Sequence, residues 1–327
     1  MKKILIIRFS SIGDIVLTTP VIRCLKKQLK NSEIHYLTKK QFVPVLKQNP
    51  YIDKIISLEK KLSALIPELK KENYDFIVDL HKNIRTKYVI FKLRKPYSAF
   101  NKLNIKKWIL VNFKINLLPK IHIVDRYFKT VKKLNVKNDN AGLDYFIPEN
   151  DEINLSTLSS KLNDGYIAFV IGGNHFTKLF PSQKIINICN KINKPAIILG
   201  GKEDKQRGDY IKKQTGNNVI NVCGLYNINQ SASIIKQADI VITNDTGLMH
   251  IAAAFNKKII SVWGNTVPEF GMYPYLTNEN KSIIFETKGL KCRPCTKIGF
   301  KKCPKKHFNC MNNINENEII QIINKHF

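Results

Sequence analysis

Four short stretches place polar side chains directly after apolar runs. In "RFSSIGDIVL" (8–17), Ser10, Ser11 and Gly13 lead to a single acid, Asp14. A carboxylate in that position either caps a helix or takes a proton from a bound hydroxyl. In "NDTGLMH" (244–250), Gly247 lets the backbone come close to a ligand. The free N–H groups of the following helical turn, with its dipole, attract an anion. Thr246 adds a hydroxyl donor, whereas Asp245 would repel phosphate and suits sugar hydroxyls or a helix cap better. His250 lies on the same first turn and either faces that anion or is a buried structural histidine. In "IGGNHFTKLFP" (171–181), Gly172 and Gly173 make a tight turn, and Thr177 and Lys178 are within reach of a diphosphate. A lysine there neutralises charge gathering on a leaving group; otherwise it is one more solvated lysine. Pro181 suits a helix start. In "ILGGKEDKQR" (198–207), Glu203 or Asp204 can hold ribose hydroxyls, or simply favour a helix N-terminus.

A cysteine cluster stands apart. "CRPCTKIGFKKCPKKHFNC" (292–310) spaces Cys292, Cys295, Cys303 and Cys310 as C-x2-C-x7-C-x6-C, with His307 between the last two. The leading C-x2-C resembles a structural zinc knuckle, but the later spacings are not those of a standard finger. Reduced packing cysteines and a redox-labile pair are the competing readings. Cys24, Cys189 and Cys223 fall in core-like runs and read as buried thiols. GxGxxG and GxxxxGK[ST] are both missing, which argues against a classical dehydrogenase or NTPase. No Asp-x-Asp follows in the second half to hold a metal–nucleotide complex, so the expectation is chemistry without a catalytic metal or cofactor.

The elements that must position these residues alternate in kind. "KKILIIRF", 33–38, 54–58 and "YDFIVDLH" (74–81) read as buried strands, with helical spacing over 61–71 and 83–93. Residues 136–164 are polar and breaker-rich, and read as a linker. Five more strands follow at 166–173, 196–201, 219–224, 239–244 and 259–264. Ile- and Val-rich strands separated by helices predict parallel sheets covered on both faces. Such sheets bind ligands beyond the C-terminal ends of their strands. Pro20 either kinks the helix after Asp14 or moves its start to Thr19. The 327 residues suit two domains, and 43% apolar residues supply ordinary cores.

The net charge is +29, of which residues 1–150 carry +19. Such a field favours anionic partners, although a Lys- and Ile-rich composition produces it as well. The chain start has too short an apolar run for a secretory signal, and no run reaches the roughly 20 residues of a membrane span. The expected location is therefore cytoplasmic, where seven cysteines argue against a disulfide framework. The basic, aromatic stretch 86–114 suits either a phosphorylated lipid surface or a pair of ordinary surface helices with apolar inner faces.

Taken together, "IRFSSIGDIVLTTPVIRCLKK" and "TNDTGLMHIAAAFNKKIISVWGNTVP" resemble glycosyltransferase family 9, the ADP-heptose:lipopolysaccharide heptosyltransferases. "DFIVDLHKNIRT", "HIVDRYF" and "GGNHFTKLFP" follow in the family's order, so the resemblance runs from about residue 2 to 325. It implies an α/β GT-B fold of two Rossmann-like, doubly wound domains facing a cleft. The expected division is an acceptor domain over 1–155, a nucleotide-sugar domain over 156–312, and a last helix over 313–327 packing back on the first domain. It also implies an inverting, metal-independent transfer from an ADP-sugar to a lipopolysaccharide inner core, at the inner face of the inner membrane. Asp14 would then be the base, with Ser10, Ser11 and Gly13 on the acceptor side. Lys178 would meet the diphosphate and sugar, Glu203 the ribose and Asp245 sugar hydroxyls. Thr246 and Gly247 would bind phosphate oxygens, with His250 supporting their loop. Two alternatives remain: another sugar-nucleotide enzyme of this fold, such as a 2-epimerase, and a nucleic-acid-binding protein with a zinc knuckle.

Overall fold

The computed structural model describes residues 1–59 and 61–327. The chain forms two units, residues 1–103 with 121–146, and residues 104–120 with 147–327.

The first unit opens with β1 (Lys2–Ile7), buried from Ile4 onward. A strand with neighbours on both sides and helices on both faces needs no polar alternation. The short α1 (Ile12–Val16) follows, with Ser11 at its N-cap. It does not run on: α2 (Thr19–Gln28) starts afresh with Pro20 in its first turn, where the missing N–H costs nothing. Then come β2 (Ser32–Lys39), β3 (Lys54–Leu58), α3 (Leu62–Lys71) and β4 (Phe76–Asp79). Asn83 caps α4 (Ile84–Leu93), and β5 (Tyr97–Ala99) closes the sheet. α5 (Asn104–Phe113) belongs to the second unit, and α6 (Ile123–Phe128) returns to the first.

All five strands are parallel, in the order β3-β2-β1-β4-β5, with Ile7 opposite Leu37 and Asp79. The winding direction reverses between β1 and β4. At the opposite, N-terminal edge, Lys3 and Lys54 each lie 2.7 Å from Glu72. The two hydrogen bonds hold the Glu72 carboxyl down at about 2. Glu33, His35 and Glu72 have the spacing of a cation site, but the two lysines already neutralise them. This edge is built for stability. The polar stretch after 136 is anchored, not a free linker, over its first part. Arg23 pairs with Asp139 and Asp144 and donates to the Gly142 carbonyl at 2.9 Å.

The second unit winds β6 (Ile167–Val170), α7 (Ser182–Lys191), β7 (Ala196–Leu199), α8 (Lys205–Thr215) and β8 (Val219–Asn221). It continues with α9 (Ile228–Gln237), β9 (Ile240–Asn244), α10 (Gly247–Ala254), β10 (Lys258–Trp263) and β11 (Ser282–Glu286). The short α11 (Asn309–Asn312) and α12 (Glu316–His326) end the chain. The six parallel strands run β11-β10-β9-β6-β7-β8, with the reversal between β6 and β9. β5 and β11 escape a reading by apolar runs because both are edge strands, and neither has a fully buried residue.

Two boundaries differ from the expected ones. The units divide at 146/147, and 313–327 is not a body that leaves the second unit. Ile319, Ile320 and Ile323 of α12 join the core of the second unit, and Lys184 of α7 pairs with Glu316 at 2.5 Å. The apolar face of the helix is fully used there. Among the described residues, no helix is long and apolar enough to cross a membrane.

Candidate active site

Each unit brings its candidate residues to the strand ends beside its own reversal point, where neighbouring loops diverge and leave a crevice. In the first unit those are the ends of β1 and β4. Arg8 leaves β1 buried, and its guanidinium spans the gap. Nη1 donates to the Leu80 carbonyl at 2.5 Å and to the Tyr127 hydroxyl at 3.1 Å, and Nε to the Ser10 carbonyl at 2.7 Å. Nη2 lies 2.6 Å from Oδ1 of Asp14. Oδ2 of Asp14 accepts from the Ser11 hydroxyl at 2.8 Å and the Ser11 N–H at 3.2 Å. Asp14 therefore completes a capping box for α1 and also makes an ion pair. Ser11 is exposed, Ser10 half-buried and Gly13 buried, so the serines rather than Gly13 are accessible at this edge.

Burial works against the Arg8 charge, but Asp14 and the phenols of Tyr127 and Tyr36 outweigh it and raise its pKa. Arg8 in turn acts on its neighbours. Burial first, then the Arg8 charge, pushes His81 down to about 4, so its imidazole is neutral at neutral pH. Lys102 is lowered by the same two causes. The buried Asp79 accepts from the N–H groups of His81 and Lys82 at 2.9 and 2.7 Å and turns the chain out of β4. Asp14 and the buried Asp79 thus sit beside Arg8 and Lys102, and of the two acids Asp14 is the more accessible, an arrangement that suits an anionic ligand carrying a hydroxyl.

In the second unit, Asn244 at the end of β9 ties the reversal point together. Its amide donates to the carbonyls of Ile171 and Gly172 at 3.1 and 3.2 Å and accepts from the Phe180 N–H at 3.1 Å. This shapes the loop that carries Lys178. The Lys178 ammonium lies 2.6 Å from Oδ2 of Asp245, and the Thr266 hydroxyl donates to the same oxygen at 3.0 Å. Asp245 does not cap α10, because Thr246 occupies the N-cap and makes no side-chain cap bond. With Gly247 it leaves the first-turn N–H groups of an eight-residue helix for a ligand. His250 is buried on that helix.

Thr177 departs from the expected role. It is buried, and its hydroxyl accepts from the Phe300 N–H at 2.8 Å and donates to the Phe300 carbonyl at 3.3 Å, so it serves as a tie. Of the two acids in the third loop, Asp204 is buried and accepts from the Gly201 N–H at 2.9 Å, which leaves the exposed Glu203 for a ligand. Gly172 of the Lys178 loop lies against the Asp204 side chain: a Cβ there would be 2.6 Å from the carboxylate, which would have to shift.

Sequence reasoning passed over Arg8, His81, Asn244 and Thr266. Arg8 and Asn244 ended runs already read as strands, and a polar residue at that place was the available signal. His81 and Thr266 gave none, since their value comes from neighbours distant in the chain.

Residues 62–309 match the family model described as Glycosyltransferase family 9 (heptosyltransferase). The chain is 26% identical to lipopolysaccharide heptosyltransferase 1 of Campylobacter coli, over 99% of both chains. It is 23% identical to lipooligosaccharide heptosyltransferase 2 of Haemophilus influenzae, over 90% of this chain and 92% of that one. Among solved structures, a glycosyl transferase family 9 protein of Veillonella parvula superposes with a TM-score of 0.80, at 22% identity, over 99% of this chain and 97% of the other. ADP-heptose lps heptosyltransferase II of E. coli gives 0.74 at 19% identity, over 100% and 98%. The two doubly wound units are those of the GT-B fold.

Proposed function

The chain belongs to glycosyltransferase family 9 and is a glycosyltransferase, and on that premise we propose that it moves a heptose from ADP-heptose to a lipopolysaccharide inner-core acceptor, with inversion. The observation that carries this reading is the pair of polar clusters at the two reversal points. Arg8–Asp14 serves an acceptor, and Lys178–Asp245–Thr266 serves a nucleotide sugar.

The chemistry follows from those groups. The acceptor hydroxyl displaces the Ser11 hydroxyl from Oδ2 of Asp14 and gives up its proton there as its oxygen attacks the anomeric carbon. The bond from that carbon to the diphosphate breaks on the opposite face, which inverts the configuration. Arg8 aims the carboxylate before the acceptor arrives. Lys178 and the first-turn N–H groups of α10 take up the charge of the departing ADP, so the mechanism asks for no catalytic metal. Asp245 exchanges Lys178 for sugar hydroxyls when the donor binds, and Glu203 takes the ribose.

The acceptor implies a membrane surface, and α5 suits one. Ile105, Trp108 and Phe113 are 76%, 52% and 60% exposed, whereas Leu110 is the buried residue of that helix. Between Asp79 and Asp125 the sequence carries 11 Lys and Arg and no acid. Apolar and cationic side chains mixed in this way favour peripheral binding to an anionic leaflet, on the cytoplasmic side of the inner membrane.

The test supplies ADP-heptose and an inner-core acceptor, then measures released ADP and the mass of the product. The parent protein makes the heptosylated product. Asp14→Asn binds ADP as the parent does and transfers at least about 100-fold more slowly. Normal transfer by that variant removes Asp14 as base, and no use of ADP-heptose by the parent removes the donor.

A further inference from the structure

The chain from Thr287 to Phe308 forms neither helix nor strand, and Pro294 is its one buried residue. A loop of that length is uncommon in a compact domain unless it has a use. Cys292, Cys295 and Cys303 lie on it and Cys310 just after it, all as free thiols, and among the described residues no three of their sulfurs are within 4.8 Å of one another. Backbone bonds and rings seat the loop instead, on two neighbours. One is the loop that carries Lys178. The Phe300 N–H donates to the Thr177 hydroxyl at 2.8 Å, its carbonyl accepts from the Thr177 N–H at 3.2 Å, and the Phe308 ring lies 4.9 Å from that of Phe176. The other is the chain after β10. Arg293 donates to the carbonyls of Gly264 and Thr266 at 2.6 and 2.9 Å. α5 rests on the same stretch, since Leu110 packs with Val267 and Phe270, and Lys114 at its end donates to the Pro294 carbonyl at 2.7 Å.

The middle of the loop faces solvent with a mixed character. Ile298 and Phe300 are 63% and 39% exposed. Lys297, Lys301, Lys302, Lys305 and Lys306 adjoin them in the chain and are all exposed, and no acid occurs from 287 to 315. Gly299 between the two apolar residues has φ 137° and leaves no room for a Cβ, which would lie 2.5 Å from that of His175, so the exposed pair is carried close against the loop of Lys178. A nucleic acid would take the lysines by charge alone and leave Ile298 in water. An anionic leaflet uses both kinds of side chain. Lipid phosphates meet the ammonium groups, and the apolar side chains enter the boundary between headgroups and acyl chains.

Resting on the reading of a membrane-borne acceptor, we propose that this loop docks on an anionic lipid leaflet through Ile298, Phe300 and the five lysines beside them, as a second contact next to α5, and that docking braces the loop of Lys178. Apolar burial supplies the part of the binding that salt does not screen, and the lysines supply the part that it does. Through Phe300 the docked loop holds Thr177, the residue before Lys178. Restraint by the leaflet makes ADP bind more tightly there, and bound ADP strengthens docking by the same factor.

The test uses the full chain and vesicles of equal parts phosphatidylglycerol and phosphatidylcholine, with no acceptor sugar, so docking is read apart from transfer. Ile298→Trp is placed in Trp108→Phe, where the buried Trp263 is the one other indole. Acyl-brominated lipid should quench the indole at 298 beyond the Trp108→Phe baseline. Trp108 of the parent reports α5 in the same way. Ile298→Ser with Phe300→Ser should weaken vesicle binding about tenfold, the loss expected for two partly buried apolar side chains. Ile298→Trp should strengthen it, so a serine variant that fails to fold does not protect the idea. The vesicles should tighten ADP binding about tenfold in the parent and much less in the serine variant. An indole at 298 that stays unquenched overturns the docking loop, even where Trp108 is quenched. So does tight binding of single-stranded RNA that the serine variant retains in full, with no vesicle binding by the parent. Docking with unchanged ADP affinity keeps the surface and overturns the brace. Docking by a parent that leaves ADP-heptose unused keeps the loop and removes only the donor.

Discussion

Asp14 is both a helix cap and an ion-paired carboxylate, and the two uses support each other. The Ser11 and Arg8 contacts hold its two oxygens in place, so a base would be held in position before any substrate binds. His81 adds a pH signature to the same cluster. Its pKa is about 4 against an ordinary 6.5, because burial and then Arg8 disfavour the cation. The unfolded chain takes that proton below pH 6.5, whereas the folded chain resists it until about pH 4. Stability from this group is therefore present above pH 6.5 and is lost as pH falls through the window. Urea titrations of His81→Gln should show a shallower loss between pH 6.5 and 4 than the parent. Equal slopes would mean that neither burial nor the Arg8 charge holds the imidazole neutral in the folded protein.

At the scale of elements, β6 and β9 matter through what joins their ends. One Asn244 side chain reaches two carbonyls and one N–H in the Lys178 loop, with Arg207 sharing the Ile171 carbonyl at 2.9 Å. Asn244→Ala should cost about 2–4 kcal/mol, from lost hydrogen bonds and buried unpaired groups. Calorimetry should show the lower Tm, and titration calorimetry a weaker binding of ADP. A fall in Tm with intact ADP binding would show that the loop keeps its shape without the tie. The same scale explains the two edges of the first sheet. Lysine–glutamate pairs gather at its N-terminal edge, and the Arg8 cluster lies at the other, beside the reversal.

For the whole molecule, the +29 charge is a long-range property, and its excess over residues 1–150 is compositional as well as functional. Only apolar contact separates a membrane surface from a general taste for anions. Sedimentation with vesicles containing phosphatidylglycerol should therefore show binding that falls with salt. Trp108→Ala with Phe113→Ala should weaken that binding at every salt concentration, because it removes buried area and no charge. Equal binding to neutral phosphatidylcholine vesicles, or no effect of the double substitution, would exclude α5 as the anchor.

The sequence by itself determined the two parallel sheets, since runs such as Ile4–Ile7 and Ile240–Asn244 can be satisfied only between neighbouring strands and covering helices. It marked a break at Pro20, as a kink or as a new helix start, and the structure shows the start at Thr19. It also located the loops of Asp14, Lys178 and Asp245 by the apolar run before each. Tertiary structure alone decided which polar groups share a cluster. Arg8 reaches Leu80 and Tyr127, Lys178 reaches Asp245, and Thr177 is taken by Phe300, across separations of 72, 119, 67 and 123 residues. It also decided that α12 covers α7, and that Asp204 is buried while Glu203 is free. Local pattern records which face of an element is apolar. It does not record the partner, because hydrogen bonds and ion pairs form only after distant strands have been brought to one edge.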